Sequence, residues 1–171
     1  MGEFPHIFFQ PAVMALEHLL DPIRQHVTEL GFELVDFRAG GGGERPQLQL
    51  RIDRPGSTPG HGVTVDDCVR VSRSIEHLLE RSEPVGRYVL QVSSPGLERP
   101  VRFPEHWRRY RGRFVRVRAR SLKGHPRAQI LDVPDDRHVV LRLADRTEVT
   151  LELTDLRDAT LVPEDAAPDT L

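Results

Sequence analysis

Val13, Leu16, Leu19, Leu20, Ile23, Val27 and Leu30 recur at helical spacing, and Gly31 follows as a natural C′ residue. Pro22 interrupts this helix. Either the helix kinks there, or Asp21 caps a fresh start with Pro22 at its first position. Residues 32–38 are β-rich and apolar on both faces. A flexible glycine turn at 40–43 follows. Leu48, Leu50 and Ile52 then alternate with Gln47, Gln49, Arg51 and Asp53, as a half-buried strand does. The two strands make a hairpin. Thr64-x-x-Asp67 has the form of a capping box and opens a second helix, with Val65, Cys68, Val71, Ile75, Leu78 and Leu79 as its apolar stripe. Tyr88, Leu90 and Val92 alternate as a third strand. The first half reads αββαβ, an α+β layer in which two helices can cover one sheet face.

The second half changes character. A short segment at 107–110 precedes four short strands, near 114–120, 128–133, 139–143 and 149–153. Turns fall at Lys123-Gly124-His125-Pro126, Pro134-Asp135-Asp136 and Asp145-Arg146. Four or five short strands in so little chain predict a small all-β SH3/Sm-like barrel. The expected division is an N-terminal domain at 11–94, a linker with a short helical segment at 95–112, the barrel at 113–163 and a disordered acidic tail at 164–171.

Charge sharpens this division. The 171 residues carry a formal net charge of −2, but the sign is unevenly spread. Residues 1–98 hold 9 basic and 14 acidic side chains, residues 99–127 hold 11 and 1, and residues 128–171 hold 4 and 11. A block of +10 inside an acidic protein is either a solvated basic face or a footprint for polyanions. Of the 24 cations only Lys123 is lysine. That bias is chain-wide, so charge density says more than arginine identity.

Several chemistries have no support in the sequence. There is no GxxxxGK[ST] loop, HExxH, CxxC or Gly-x-Ser-x-Gly. The 8 histidines are scattered, and His18 and His26 lie eight apart with no matching ligand between them. Asp66 and Asp67 suit helix capping better than acid–base catalysis. The one cysteine, Cys68, sits on an apolar stripe and reads as a buried structural thiol in a reducing, cytoplasmic setting. No apolar run approaches the ~20 residues of a membrane helix. Residues 1–10 lack the features of a secretory signal. No enzyme activity, cofactor or metal is expected.

The basic block has readable geometry. Val115, Val117 and Ala119 face one way along their strand; Arg116, Arg118 and Arg120 face the other, about 6.7 Å apart. Like charges in such a ladder repel. It is retained more easily if an anion sits on it, or if Glu148, Glu152 and Asp132 on neighbouring strands neutralise it. Both readings stay open. Arg108, Arg109, Arg111 and Arg113 extend the patch upstream; Lys123 and Arg127 extend it downstream. Beyond Tyr110 the only aromatic is Phe114, so the barrel is a poor base-stacking module and a poor PxxP groove. Contact with an RNA backbone, or docking to a ribonucleoprotein, fits better. An RNA-acting enzyme would need convergent titratable groups, which the sequence does not show. A ring-forming Sm-type RNA chaperone is a third reading.

The most specific stretch joins the halves: Ser93, Ser94, Pro95, Gly96, Leu97, Glu98, Arg99 and Pro100, preceded by Tyr88-Val-Leu-Gln-Val92. Pro95-Gly96 suits a type II turn, and Glu98-Arg99-Pro100 is stiffer than a generic linker. This stretch resembles the V-S-S-P-G-[LV]-[DE]-R-P-[LV] signature of the bacterial ribosome maturation factor RimP family. Leu30-Gly31-Phe32-Glu33-Leu34-Val35 resembles that family's first helix–strand junction, and Trp107 with Arg111-Gly112-Arg113 its F-x-x-x-x-G-[KR] lead-in to the C-terminal barrel. Leu156, Ala159, Leu161, Val162 and Pro163 resemble its closing I-x-x-A-x-L-V-P. The resemblance runs over about residues 12–164. Residues 1–10 are not family-typical, and Ala128 replaces a common glycine.

The resemblance implies a non-catalytic factor with an α+β domain and an SH3/Sm-like barrel. It implies binding to the free 30S small ribosomal subunit and promotion of its late maturation. The implied partners are the immature subunit, its 16S rRNA and small-subunit ribosomal protein twelve, met by a cytoplasmic monomer. Under that reading Arg108, Arg109, Arg111, Arg113, Arg116, Arg118, Arg120, Lys123 and Arg127 bind rRNA or ribosomal protein, and residues 93–100 set the interdomain angle.

Overall fold

In the computed structural model, which describes residues 18–40, 45–57, 61–82, 87–96 and 99–163, the first element is helix α1 (Leu20–Glu29). It buries Ile23 and Val27. Pro22 does not open the helix. It is the third helical residue, in the turn whose N–H groups lack an intrahelical partner in any case. Asp21 is therefore the second helical residue and not the cap. The expected helical positions 13 and 16 lie outside the described residues. The helix stops at Gly31, at φ +86. There Gly31 N–H donates to Thr28 C=O (3.0 Å) and Phe32 N–H to Val27 C=O (3.1 Å), the paired bonds of a Schellman end.

Strands β1 (Glu33–Gly40) and β2 (Gln47–Asp53) form the expected antiparallel hairpin, with a register shift between Leu34 and Asp36. The bulge explains why β1 reads as apolar on both faces: Leu34 and Val35 are adjacent and both buried. Helix α2 (Val65–Arg81) starts with the capping box intact. Asp67 N–H donates to Thr64 Oγ1 (3.2 Å), and Thr64 N–H donates to Asp67 Oδ2 (2.9 Å). Val71, Ile75 and Leu79 form its buried stripe. Val65 does not join them and is 79% exposed. At 100° per residue it stands about 80° from the centre of that stripe. Cys68 is half-buried. Burial first, and the neighbouring Asp67 carboxylate second, push its thiol up, away from the reactive thiolate.

Strand β3 (Val89–Ser93) pairs parallel to β2, giving the order β1-β2-β3. Cross-strand partners Phe37, Leu50 and Val92 share one face with Leu48, Ile52 and Leu90. Helix α1 packs against β1, and α2 against β3.

The chain divides between Ser94 and Pro95 into two units. The second opens with helix α3 (Pro104–Arg109). Strands β4 (Phe114–Ala119), β5 (Arg127–Asp132), β6 (His138–Leu143) and β7 (Glu148–Glu152) follow. A 3₁₀ turn (Leu153–Asp155) leads to β8 (Leu156–Leu161). The order is β7-β6-β5-β4-β8. Among the described residues no ladder joins β7 to β8, so this is an open five-stranded sheet and not the closed barrel expected from the strand count. The outer edge of β8 is already taken. Val101 N–H donates to Ala159 C=O and Leu161 N–H to Arg99 C=O, both 2.9 Å, and Pro100 bridges Thr160. Trp107 on α3 is fully buried against Val115, Val117, Ile130 and Leu141.

Candidate functional site

Strand β4 alternates without a break. Val115, Val117 and Ala119 are buried; Phe114, Arg116 and Arg118 are exposed. The core fixes this face, because a slip of one residue would bury Arg116 and Arg118. Cross-strand register extends the outer surface into rows. Phe114 stands beside Gln129, which stands beside Arg142 and then Glu148. Arg116 lies between Thr160 on β8 and Arg127 on β5. Arg118 faces Asp158 on β8. The Arg127 guanidinium lies over the Phe114 ring, 4.5 Å from its centroid.

The acids expected to neutralise the ladder are occupied elsewhere. Asp132 accepts from Arg111 (3.0 Å), Glu148 from Arg142 (2.8 Å), and Glu152 lies 3.9 Å from His138. Asp158, which the sequence reading passed over, is the acid across from the ladder. The strand register alone decides this, and no local pattern announces it. Arg108 pairs with Asp136 at 2.5 Å. The Val133 backbone N–H, and then Arg111, hold the Asp132 carboxyl below the usual carboxylate range. Arg109, Arg113, Arg116 and Arg127 are also engaged. Arg118, Arg120 and Lys123 are exposed and make no ion pair among the described residues. The basic block thus has a paired end at α3 and an unpaired end beyond the middle of β4. Arg157, not singled out by sequence, joins the unpaired end.

The joining stretch is placed as follows. Ser93 closes β3, and Gly96 is at φ +72, which position three of a type II turn requires. Arg99 and Pro100 run along β8. Leu97 and Glu98 lie outside the described residues. Among the described residues no cluster of three His, Cys, Asp or Glu could hold a metal. His26 hydrogen-bonds Ser74 (2.7 Å), and His138 meets Asp135 (2.9 Å). These two histidines therefore have structural partners.

Residues 22–98 match the family known as the RimP N-terminal domain. The first unit is a RimP N-terminal domain. The match takes in α1 from Pro22 onward, the hairpin, α2, β3 and the Ser93–Glu98 half of the signature. A RimP N-terminal domain points to ribosome maturation and to association with ribosomal subunits in general. The RimP match ends just before residues 99–101 meet β8, so the arginine-bearing sheet lies beyond it. No described helix is long and apolar enough to cross a membrane.

Proposed function

We propose that this protein is a non-catalytic maturation factor for the free 30S small subunit, acting late in its assembly in the cytoplasm. Its C-terminal unit, read as an open variant of the SH3/Sm-like module, presents the outer face of β4 to 16S rRNA. Arg108, Arg109, Arg111, Arg113, Arg116, Arg118, Arg120, Lys123 and Arg127 supply attraction that is strongest at low salt. Small-subunit protein twelve, near the rRNA pseudoknot and decoding centre, is the protein partner. Residues 93–100 set the angle between the units, and the protein works as a monomer. Its chemistry is ordering: greater affinity for the immature than for the mature arrangement shifts the particle toward completion.

The match of residues 22–98 to the RimP N-terminal domain is the observation that carries this reading. The arginine face supports it, because a ladder of like charges gains from a polyanion. The test is retention of separated immature and mature small subunits on the immobilised full chain, with and without protein twelve. Selective retention of immature particles is expected. Equal retention of both, or of neither, rejects the proposal.

A further inference from the structure

Resting on that reading, we infer that the RNA-contacting part of the C-terminal unit is the sheet end around the β8 bulge. There Arg118, Arg120 and Arg157 together take the sugar–phosphate backbone, while the α3 end of the basic block, with Arg108 and Arg111 held in ion pairs, adds long-range attraction without direct contact.

The bulge is the first observation. Arg118 pairs with Asp158 but Ala119 pairs with Leu156, so Arg157 is an extra residue in β8. Leu156 packs against the core and Ala159 is buried. The two residues between them, Arg157 and Asp158, are therefore both turned outward. A regular strand would send one of them inward; the bulge adds a cation to the face that presents Arg118.

The second observation is where β5 stops. The β4–β5 ladder ends at Arg116 and Arg127, and one further bond follows, from Val117 N–H to Pro126 C=O (3.1 Å). Beyond it Arg118 and Arg120 have a neighbouring strand on the β8 side alone. Arg120 N–H donates to the Asp155 backbone carbonyl (3.3 Å), which ties this end down without using the side chain.

The third is the division of ion pairs. Arg118, Arg120 and Arg157 are exposed and have no ion pair among the described residues. Arg108 and Arg111 must release Asp136 and Asp132 before they can meet a phosphate. A guanidinium fork matches phosphate oxygens. The only aromatic ring of the sheet face, Phe114, is at the opposite end under Arg127, so bases have nothing to stack on here. The site takes backbone and not sequence. Asp158 is the opposing charge, and it limits affinity.

The test uses the full chain and a fluorescein-labelled 20-base-pair RNA duplex, with anisotropy read across a salt series. Arg157→Gln should weaken binding about threefold and lower the slope of log affinity against log salt by about one. Arg157→Lys should restore most of the slope. Asp158→Asn should strengthen binding about twofold. Arg108→Gln with Arg111→Gln should change the slope by less than Arg157→Gln alone. An unchanged slope for Arg157→Gln, a larger loss at the α3 end, or stronger competition by poly-L-glutamate than by unlabelled RNA overturns the inference. So does a wild-type protein that ignores the duplex. Subunit retention, measured separately, then decides whether the ribosomal role also falls.

Discussion

In the N-terminal unit arginines sit beside acids. Arg38 bonds Asp36 at 2.9 Å, Arg54 bonds Asp67 at 2.7 Å, and Arg51 stands opposite Asp36 across the β1–β2 pair. In the C-terminal unit β4 alternates just as β2 does, yet its outer positions carry Arg116 and Arg118 and its exit carries Arg120. At full solvent screening two such charges about 6.7 Å apart repel by roughly 0.6 kcal/mol. Arg118 and Arg120 have no ion pair among the described residues to offset that repulsion, whereas Arg38 and Arg54 of the first unit do. The contrast separates cations that serve the fold from cations that serve a partner.

The contrast breaks most visibly if the two units do not melt separately. Ile130 is fully buried beside Trp107, the single tryptophan, so indole fluorescence reports the second unit. The two longest helices are both in the first, so helical circular dichroism reports that one. Ile130→Ala should cost about 2–5 kcal/mol in the fluorescence transition and leave the helical transition in place. A joint shift would show the units to be one cooperative body.

A functional break comes next. Replacing Arg116, Arg118 and Arg120 together with glutamine should weaken small-subunit binding about tenfold at low salt and flatten its salt dependence. Removing three exposed cations from the first unit, Arg73, Arg81 and Arg87, should leave the salt slope nearly unchanged. Equal effects would mean that net charge, and not the β4 face, governs association.

The parts of this arrangement that sequence discloses are those encoded by local pattern. Alternation in β2 and β4, the Thr64–Asp67 cap and the Gly31 stop are each set within a few residues, and each appears where expected. What failed depends on distant chain. The side chains beside Arg118 are decided by β8, some forty positions downstream, and β8 is hard to see because the bulge at Arg157 breaks its period. Residues 99–101 look like linker by composition, yet their backbone completes the edge of β8. The barrel expectation rests on four located strands, without β8 and without the backbone that takes its edge. Val65 was placed on the helical stripe by its chemistry, although its angle puts it off that stripe.

Smaller effects sharpen the contrast within the N-terminal unit. Thr64→Ala removes the cap and should cost the helical transition about 1 kcal/mol. Asp67 adds a pH signature. The Thr64 backbone N–H first, and the Arg54 guanidinium second, lower its carboxyl from 3.8 to about 2. A depressed carboxyl contributes stability that is fully present above the unfolded value, about 3.9, and is lost as pH falls through the folded one. The urea midpoint of Asp67→Asn, read by helical dichroism, should lie below wild type near neutrality and converge on it between pH about 4 and about 2. Parallel curves over that window would remove the cap from the account of acid sensitivity.

The smallest effect concerns the one described non-glycine residue in the left-handed region, Arg146 at φ +68. It closes the β6–β7 hairpin, where Arg146 N–H donates to Leu143 C=O (3.0 Å) and Leu143 N–H to Thr147 C=O (2.9 Å). The left-handed conformation costs an L-residue roughly 1–2 kcal/mol, and glycine avoids that penalty while losing more chain entropy on folding. Arg146→Gly should therefore raise the fluorescence midpoint by the remainder, about 0.5 kcal/mol. It should leave the RNA salt slope unchanged, because this hairpin joins β6 to β7 on the far side of the sheet from the β4–β8 pair. A stabilised variant that also lost RNA affinity would move Arg146 from the cations that only tolerate their place to those that serve a partner.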